Sequence, residues 1–143
     1  MKKLLFVCLL LTSQLGYSAY LTEVKVTGEK IIGCGLNKDS VTSALIGTMR
    51  YNRINVTEKD GDVYLYHQVT ALEIPGGCAV NVSIEFTMFE NVFVKNLKKK
   101  IFSQVQLCGS NYLLTGPKYD MQVRVNDTAK DLAQKCLIQI SKE

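Results

Sequence analysis

The sequence has no tryptophan, a single histidine and two prolines, and aromatic residues make up only 8% of it. Each shortage excludes something. With His67 as the lone histidine, a Ser-His-Asp triad would have to run through that one position, and no Gly-x-Ser-x-Gly accompanies it. No His-x-x-x-His pair is present for zinc, and no Cys-x-x-Cys pair for a zinc ribbon or a thioredoxin-like centre. The stretch "GEKIIGCG" (28–35) lacks the Gly-Lys-Ser/Thr ending of a phosphate loop and reads as a turn carrying a cysteine. Beyond the first residues, no apolar run approaches the ~18 residues that a spanning helix requires. Repeats, low-complexity tracts and linkers are also missing. No metal or cofactor is expected, and no enzymatic activity.

What is present begins with an export signal. Lys2 and Lys3 form a short positive segment, residues 4–11 (LLFVCLLL) are apolar, and Gly16 and Ser18 are small residues suited to a signal peptidase. Cleavage is expected after Ser18 or Ala19. That division leaves 1–18 as a cleaved signal peptide and 19–143 as a single disulfide-stabilised domain. Cys8 does not read as a lipidation site, because bulky Val7 precedes it. The Met-Lys-Lys start favours a bacterial signal, hence the periplasm or the medium rather than a eukaryotic extracellular space. On that reading the sequons at Asn55, Asn81 and Asn126 are accidents of composition. Cleavage also removes Lys2 and Lys3 and no acid, so the exported chain is only mildly basic. Its charge balance therefore gives no ground for nucleic-acid binding.

Losing Cys8 leaves Cys34, Cys78, Cys108 and Cys136. An even number in an exported chain predicts two disulfides, and four cysteines allow three connectivities. The sequence does not choose among them.

Hydrophobic periodicity predicts an α+β domain: an antiparallel four- to five-stranded β-meander packed by an N-terminal and a C-terminal helix. An edge strand is expected within 20–28. A helix is expected over 37–52, with Asn37, Asp39 and Ser40 as capping candidates and Gly47 admitting close approach of the sheet. Asp60-Gly61 predicts a hairpin turn into a long strand over 63–74. "PGG" (75–77) ends that strand. From Cys78 to Phe89 the chain alternates: Val80, Val82, Ile84, Phe86 and Met88 on one face, Asn81, Ser83, Glu85 and Thr87 on the other. A further strand is expected over 100–108, a loop over 109–120 and a short strand over 121–125. The strongest helix signal spans 126–140, opening with Thr128 and Asp131 and placing Cys136 on its buried face.

Three features are candidate sites. Tyr64 and Tyr66 stand two apart on one strand face and could form a binding platform. Asn81 and Glu85 lie on the wet face of the alternating strand. Lys98, Lys99 and Lys100, with nearby Lys95, form the one charge cluster, suited to anionic lipid, lipopolysaccharide, nucleic acid or an acidic partner, or simply to a solvated strand end whose lysines discourage edge-to-edge pairing. Phe93 and Phe102 flank that cluster and are expected in the core, and His67 is expected to be structural. Together these point to a small exported non-catalytic protein that binds another macromolecule, a protein or other envelope component, as an inhibitor or assembly factor. The alternative is a carrier of a small apolar ligand or lipid in a cavity lined by Val80, Ile84, Phe86, Leu132 and Leu137.

Overall fold

The computed structural model describes residues 18–23, 30–57 and 62–142. Almost all of the expected signal peptide, the latter part of the 20–28 segment and the Asp60-Gly61 turn lie outside the described residues. Strand β1 is Ser18–Glu23, and a single turn of helix, α1, covers Lys30–Gly33. Helix α2 follows at Lys38–Tyr51 and strand β2 at Asn55–Thr57. Three long strands come next: β3 (Val63–Ile74), β4 (Gly77–Val94) and β5 (Lys99–Gly116). Helix α3 (Lys118–Ile140) closes the chain.

The architecture is the expected α+β class, with β3, β4 and β5 as the antiparallel meander and two disulfides. The full sheet has five strands in the order β2-β1-β3-β4-β5. Its first two strands are present, but they pair differently from the sequence-based expectation. β1 pairs in parallel with both β2 and β3, so it is an interior strand and not an edge. β2 and β3 are thereby separated and parallel, and they do not form the hairpin that Asp60-Gly61 suggests. A turn dipeptide signals a reversal only when its flanking strands have no better partner, and here β1 takes the place beside β3.

Two further boundaries moved for identifiable reasons. The expected loop at 109–120 is mostly strand: β5 pairs with β4 continuously from Cys108 to Gly116. Gly109, Ser110 and Asn111 look like turn residues, but the long partner strand overrides them. The expected strand at 121–125 is the start of α3. Met121, Val125 and Ala129 lie four apart and are fully buried, so the stripe that runs on through Leu132, Ala133 and Cys136 begins a full two turns before Thr128. Pro117 sits immediately before the helix, where a missing N–H costs nothing.

The core lies between the sheet and the helices. β3 contributes Leu65, Val69 and Ala71, and β4 contributes Cys78, Val80, Val82, Ile84 and Phe86. α2 adds Val41, Leu45 and Met49. Burying a side chain such as Phe86 contributes roughly 1.5–3 kcal/mol. α2 is capped as expected: the Asn37 carboxamide accepts from the N–H of Asp39 and of Ser40. The two long helices are joined by side-chain bonds. Asn52 and Gln134 exchange reciprocal amide bonds of 2.7 and 3.2 Å, and Asn126 donates to the Ser40 hydroxyl at 2.9 Å. Gly47 does not serve close packing: a Cβ there would meet nothing within 4 Å. Cys34 bonds Cys78, tying the end of α1 to the start of β4, and Cys108 bonds Cys136, tying β5 to α3.

Candidate binding surface

Alternation gives the sheet two unlike faces. Helices cover the side that carries Leu65, Val69, Val82 and Phe86. On the opposite, open side, no helix lies over the strands among the described residues. Tyr64, Tyr66 and Gln68 of β3 and Asn81, Ser83 and Glu85 of β4 are half-buried there. The register sets Tyr66 opposite Glu85 and Tyr64 opposite Thr87.

An irregularity then changes the pattern. Between Phe86 and Thr87 the partner jumps from Cys108 to Gln106, so Leu107 is an extra residue in β5. Such a bulge exchanges the faces of every residue beyond it. Without it, Phe102 would share the helix-covered side with Cys108, which is how its spacing reads in the sequence. With it, Phe102 lies on the open side, and Gln104 faces Phe89 across the strands.

The outcome is a row of rings along the open face. Tyr66 stacks on Tyr64 at 6.4 Å between centroids, Tyr64 meets Phe89 edge-on at 5.3 Å, and Phe89 stacks on Phe102 at 5.8 Å. These separations are those of favourable aromatic pairs, each worth about 0.5–1.5 kcal/mol beyond area burial. Beneath them Thr87 is fully buried, and its hydroxyl accepts from Gln104 Nε2 at 3.1 Å.

Beyond Thr87, β4 no longer has β3 beside it, and β4 and β5 continue as a two-stranded ribbon. A 3₁₀ turn at Lys95–Leu97 closes the ribbon, with Lys98 in the left-handed region at φ 50°. Lys99 and Lys100 then open β5 opposite Val94 and Phe93. Phe93 and Phe102 are 57% and 70% exposed, which overturns their expected place in the core. Among the described residues this end of the ribbon is largely exposed, and Phe102 packs on Phe89 of the same ribbon.

The candidate residues thus divide. Tyr64, Tyr66 and Glu85 form one group on the open face, and Lys98, Lys99 and Lys100 lie at the ribbon tip. Phe89 and Phe102, absent from the sequence-based candidates, connect the two. Asn81 is apart, opposite Thr70 and Leu113 toward the other end of the sheet. Finding Phe102 from sequence would have required recognising the bulge at Leu107.

Three other titratable groups have partners within the scaffold. His67 is buried on the helix side, with Thr42 Oγ1 3.3 Å from its Nε2. Glu73 pairs with Lys118 at 2.7 Å, and Asp127 with Lys130 at 2.6 Å. Among the described residues no three His, Cys, Asp or Glu side chains gather in a metal-binding arrangement. None of their helices is long and apolar enough to cross a membrane. Four of the residues expected to line a ligand cavity, Val80, Ile84, Phe86 and Leu132, are buried in one contiguous cluster, with Leu137 packed on it.

No family model matches the sequence, and no curated protein matches it. Among solved structures, the chain is similar to PelC from Paraburkholderia phytofirmans, seen as a dodecamer in two crystal forms. The identities are 15% and 14%, with a TM-score of 0.44 in both and 87% of this chain and 86% of that one covered. It is also similar to a minor lipoprotein from Acinetobacter baumannii, at 12% identity and a TM-score of 0.40, over 89% of this chain and 92% of that one. At these identities and scores the likeness defines no family.

Proposed function

We propose that this chain is a small exported, non-catalytic protein that binds another macromolecule in the cell envelope or outside the cell, as an inhibitor or an assembly factor. The observation that carries this reading is the ring row Tyr66–Tyr64–Phe89–Phe102 on the sheet face opposite the helices. Stacked rings are rigid, so little side-chain freedom is lost when a partner covers them, and tyrosines suit the centre of an interface. Export is supported by the N-terminal charge and hydropathy pattern and by two disulfides, which persist in oxidising compartments. A bacterial host is supported by the short Met-Lys-Lys start. Asn126 also uses its amide nitrogen in a bond to Ser40, where a glycan would have to attach.

The reading is tested by capturing partners of the exported protein from envelope and medium fractions, with identification by mass. A reproducible partner retained by the wild type and lost by Tyr64→Ala and Glu85→Ala supports it. Co-purified lipid without any reproducible partner overturns it in favour of a lipid carrier. The intact mass of the exported form checks cleavage, both bridges and the absence of glycan together.

A further inference from the structure

We infer that the tip of the β4–β5 ribbon is a membrane-docking element, seated on a bilayer that carries anionic headgroups. The tip adjoins the tyrosine-centred surface and shares Phe102 with it, but the lysines and Phe93 that carry this inference lie outside the ring row. Three observations converge on the tip. The first is charge. Residues 91–102 (NVFVKNLKKKIF) hold Lys95, Lys98, Lys99 and Lys100 and no acid. Glu90 lies at the base of the ribbon, opposite Ser103. Lysines near an anionic leaflet are attracted to it, and their long stems let the ammonium reach phosphate while apolar neighbours go deeper.

The second is that apolar side chains stand on both faces of the ribbon. Phe93 and Phe102 are on the open side, Val92 and Ile101 on the other, and Leu97 at the turn is 57% exposed. A protein partner ordinarily covers one face of a sheet. A bilayer surrounds an inserted tip on every side, so exposure on both faces favours lipid over a protein groove. Reach is sufficient: seven residues of β4 extend past Thr87, about 23 Å at the rise of a strand. The polar layer on each side of a bilayer is only about 5–8 Å deep.

The third is backbone conformation. Lys98 adopts φ 50°, where glycine or asparagine would be less strained. A lysine in that position spends stability to keep a charge at the turn, a pattern associated with functional sites.

The experiment uses the exported protein and vesicles of equimolar phosphatidylglycerol and phosphatidylcholine, with pure phosphatidylcholine vesicles beside them. Co-sedimentation at low salt is expected with the anionic vesicles alone and should weaken as salt is raised. Lys98→Gln/Lys99→Gln/Lys100→Gln should lower the partition coefficient about a hundredfold. Because the chain has no tryptophan, Phe93→Trp adds a single reporter, and its emission should shift to the blue on the anionic vesicles. These positions are exposed, so circular dichroism should confirm that every variant keeps the fold. Failure of the wild type to sediment, an unchanged partition of the triple variant, or no blue shift each overturns the inference. Binding to an oligonucleotide in place of vesicles overturns it in favour of a nucleic-acid contact. Loss of vesicle binding with partner capture intact would leave the proposed function standing.

Discussion

Reducing the two disulfides should unfold this protein near physiological temperature. The bridges close loops of 44 residues, between Cys34 and Cys78, and of 28 residues, between Cys108 and Cys136. In the chain-entropy account these constrain the unfolded state by about 4.0 and about 3.6 kcal/mol. The loops do not overlap in sequence, so the two effects should add. A combined loss of about 7–8 kcal/mol stands against a total stability of roughly 5–15 kcal/mol for an ordinary domain. Thermal unfolding followed by far-UV circular dichroism measures it, with and without reductant. Opening one bridge should lower Tm by about 10–20 °C and leave the sheet folded, whereas opening both should leave most of the signal unfolded. Cys34→Ala/Cys78→Ala and Cys108→Ala/Cys136→Ala separate the bridges. Cys34, Cys78 and Cys136 are fully buried, so the alanine variants should melt below the corresponding thiol forms because each leaves a small void. If the fully reduced protein melted within ~3 °C of the oxidised one, the chain-entropy reasoning would be refuted and the core alone would be sufficient.

The remaining predictions are smaller. Gly47→Ala should stabilise the protein by about 0.5–1 kcal/mol, read as a rise in the urea midpoint, because the added methyl meets nothing within 4 Å and the helix loses a flexible residue. Asn37→Ala should cost about 1 kcal/mol in the same assay, since two N–H groups at the start of α2 lose their acceptor. Glu73→Gln should change the urea midpoint by no more than the equivalent of about 0.5–1 kcal/mol, because its ion pair with Lys118 is half in solvent, with side-chain exposures of 52% and 49%. A larger effect would mean that Glu73 has a role in holding Gly33 of α1 beside the sheet.

The parts of this fold that were legible in the sequence are those set by local rules. The alternation from Val80 to Phe86 defined a buried face, and Asn37 is a helix start that needs no tertiary knowledge. Cys136 could be placed on a buried helix face from the stripe Ala129, Leu132, Ala133 alone. The misreadings came from short windows and from pairings made at a distance. "MQVRV" alternates like a strand over five residues, yet Met121 and Val125 are equally the first two steps of a helical stripe, and a short window does not separate the periods. "GSNYLLTG" has turn composition, and only an eighteen-residue partner strand makes it strand. The candidate surface was half visible. Tyr64, Tyr66 and the lysines stand out by type, but Phe102 reads as core because hydrophobic residues in strand patterns ordinarily belong there, and nothing in the sequence singles out Phe89.

The extra residue at Leu107 acts on β5 as a frameshift acts on a message. From Gly116 back to Cys108 the strand is read in the frame of the core, where Leu114 and Cys108 point toward α3's side of the sheet. From Gln106 to Lys99 the same strand is read in the other frame, and its even-numbered residues become surface. One continuous strand thus carries two messages, a core frame and a surface frame, joined where Gln104 bonds the buried Thr87.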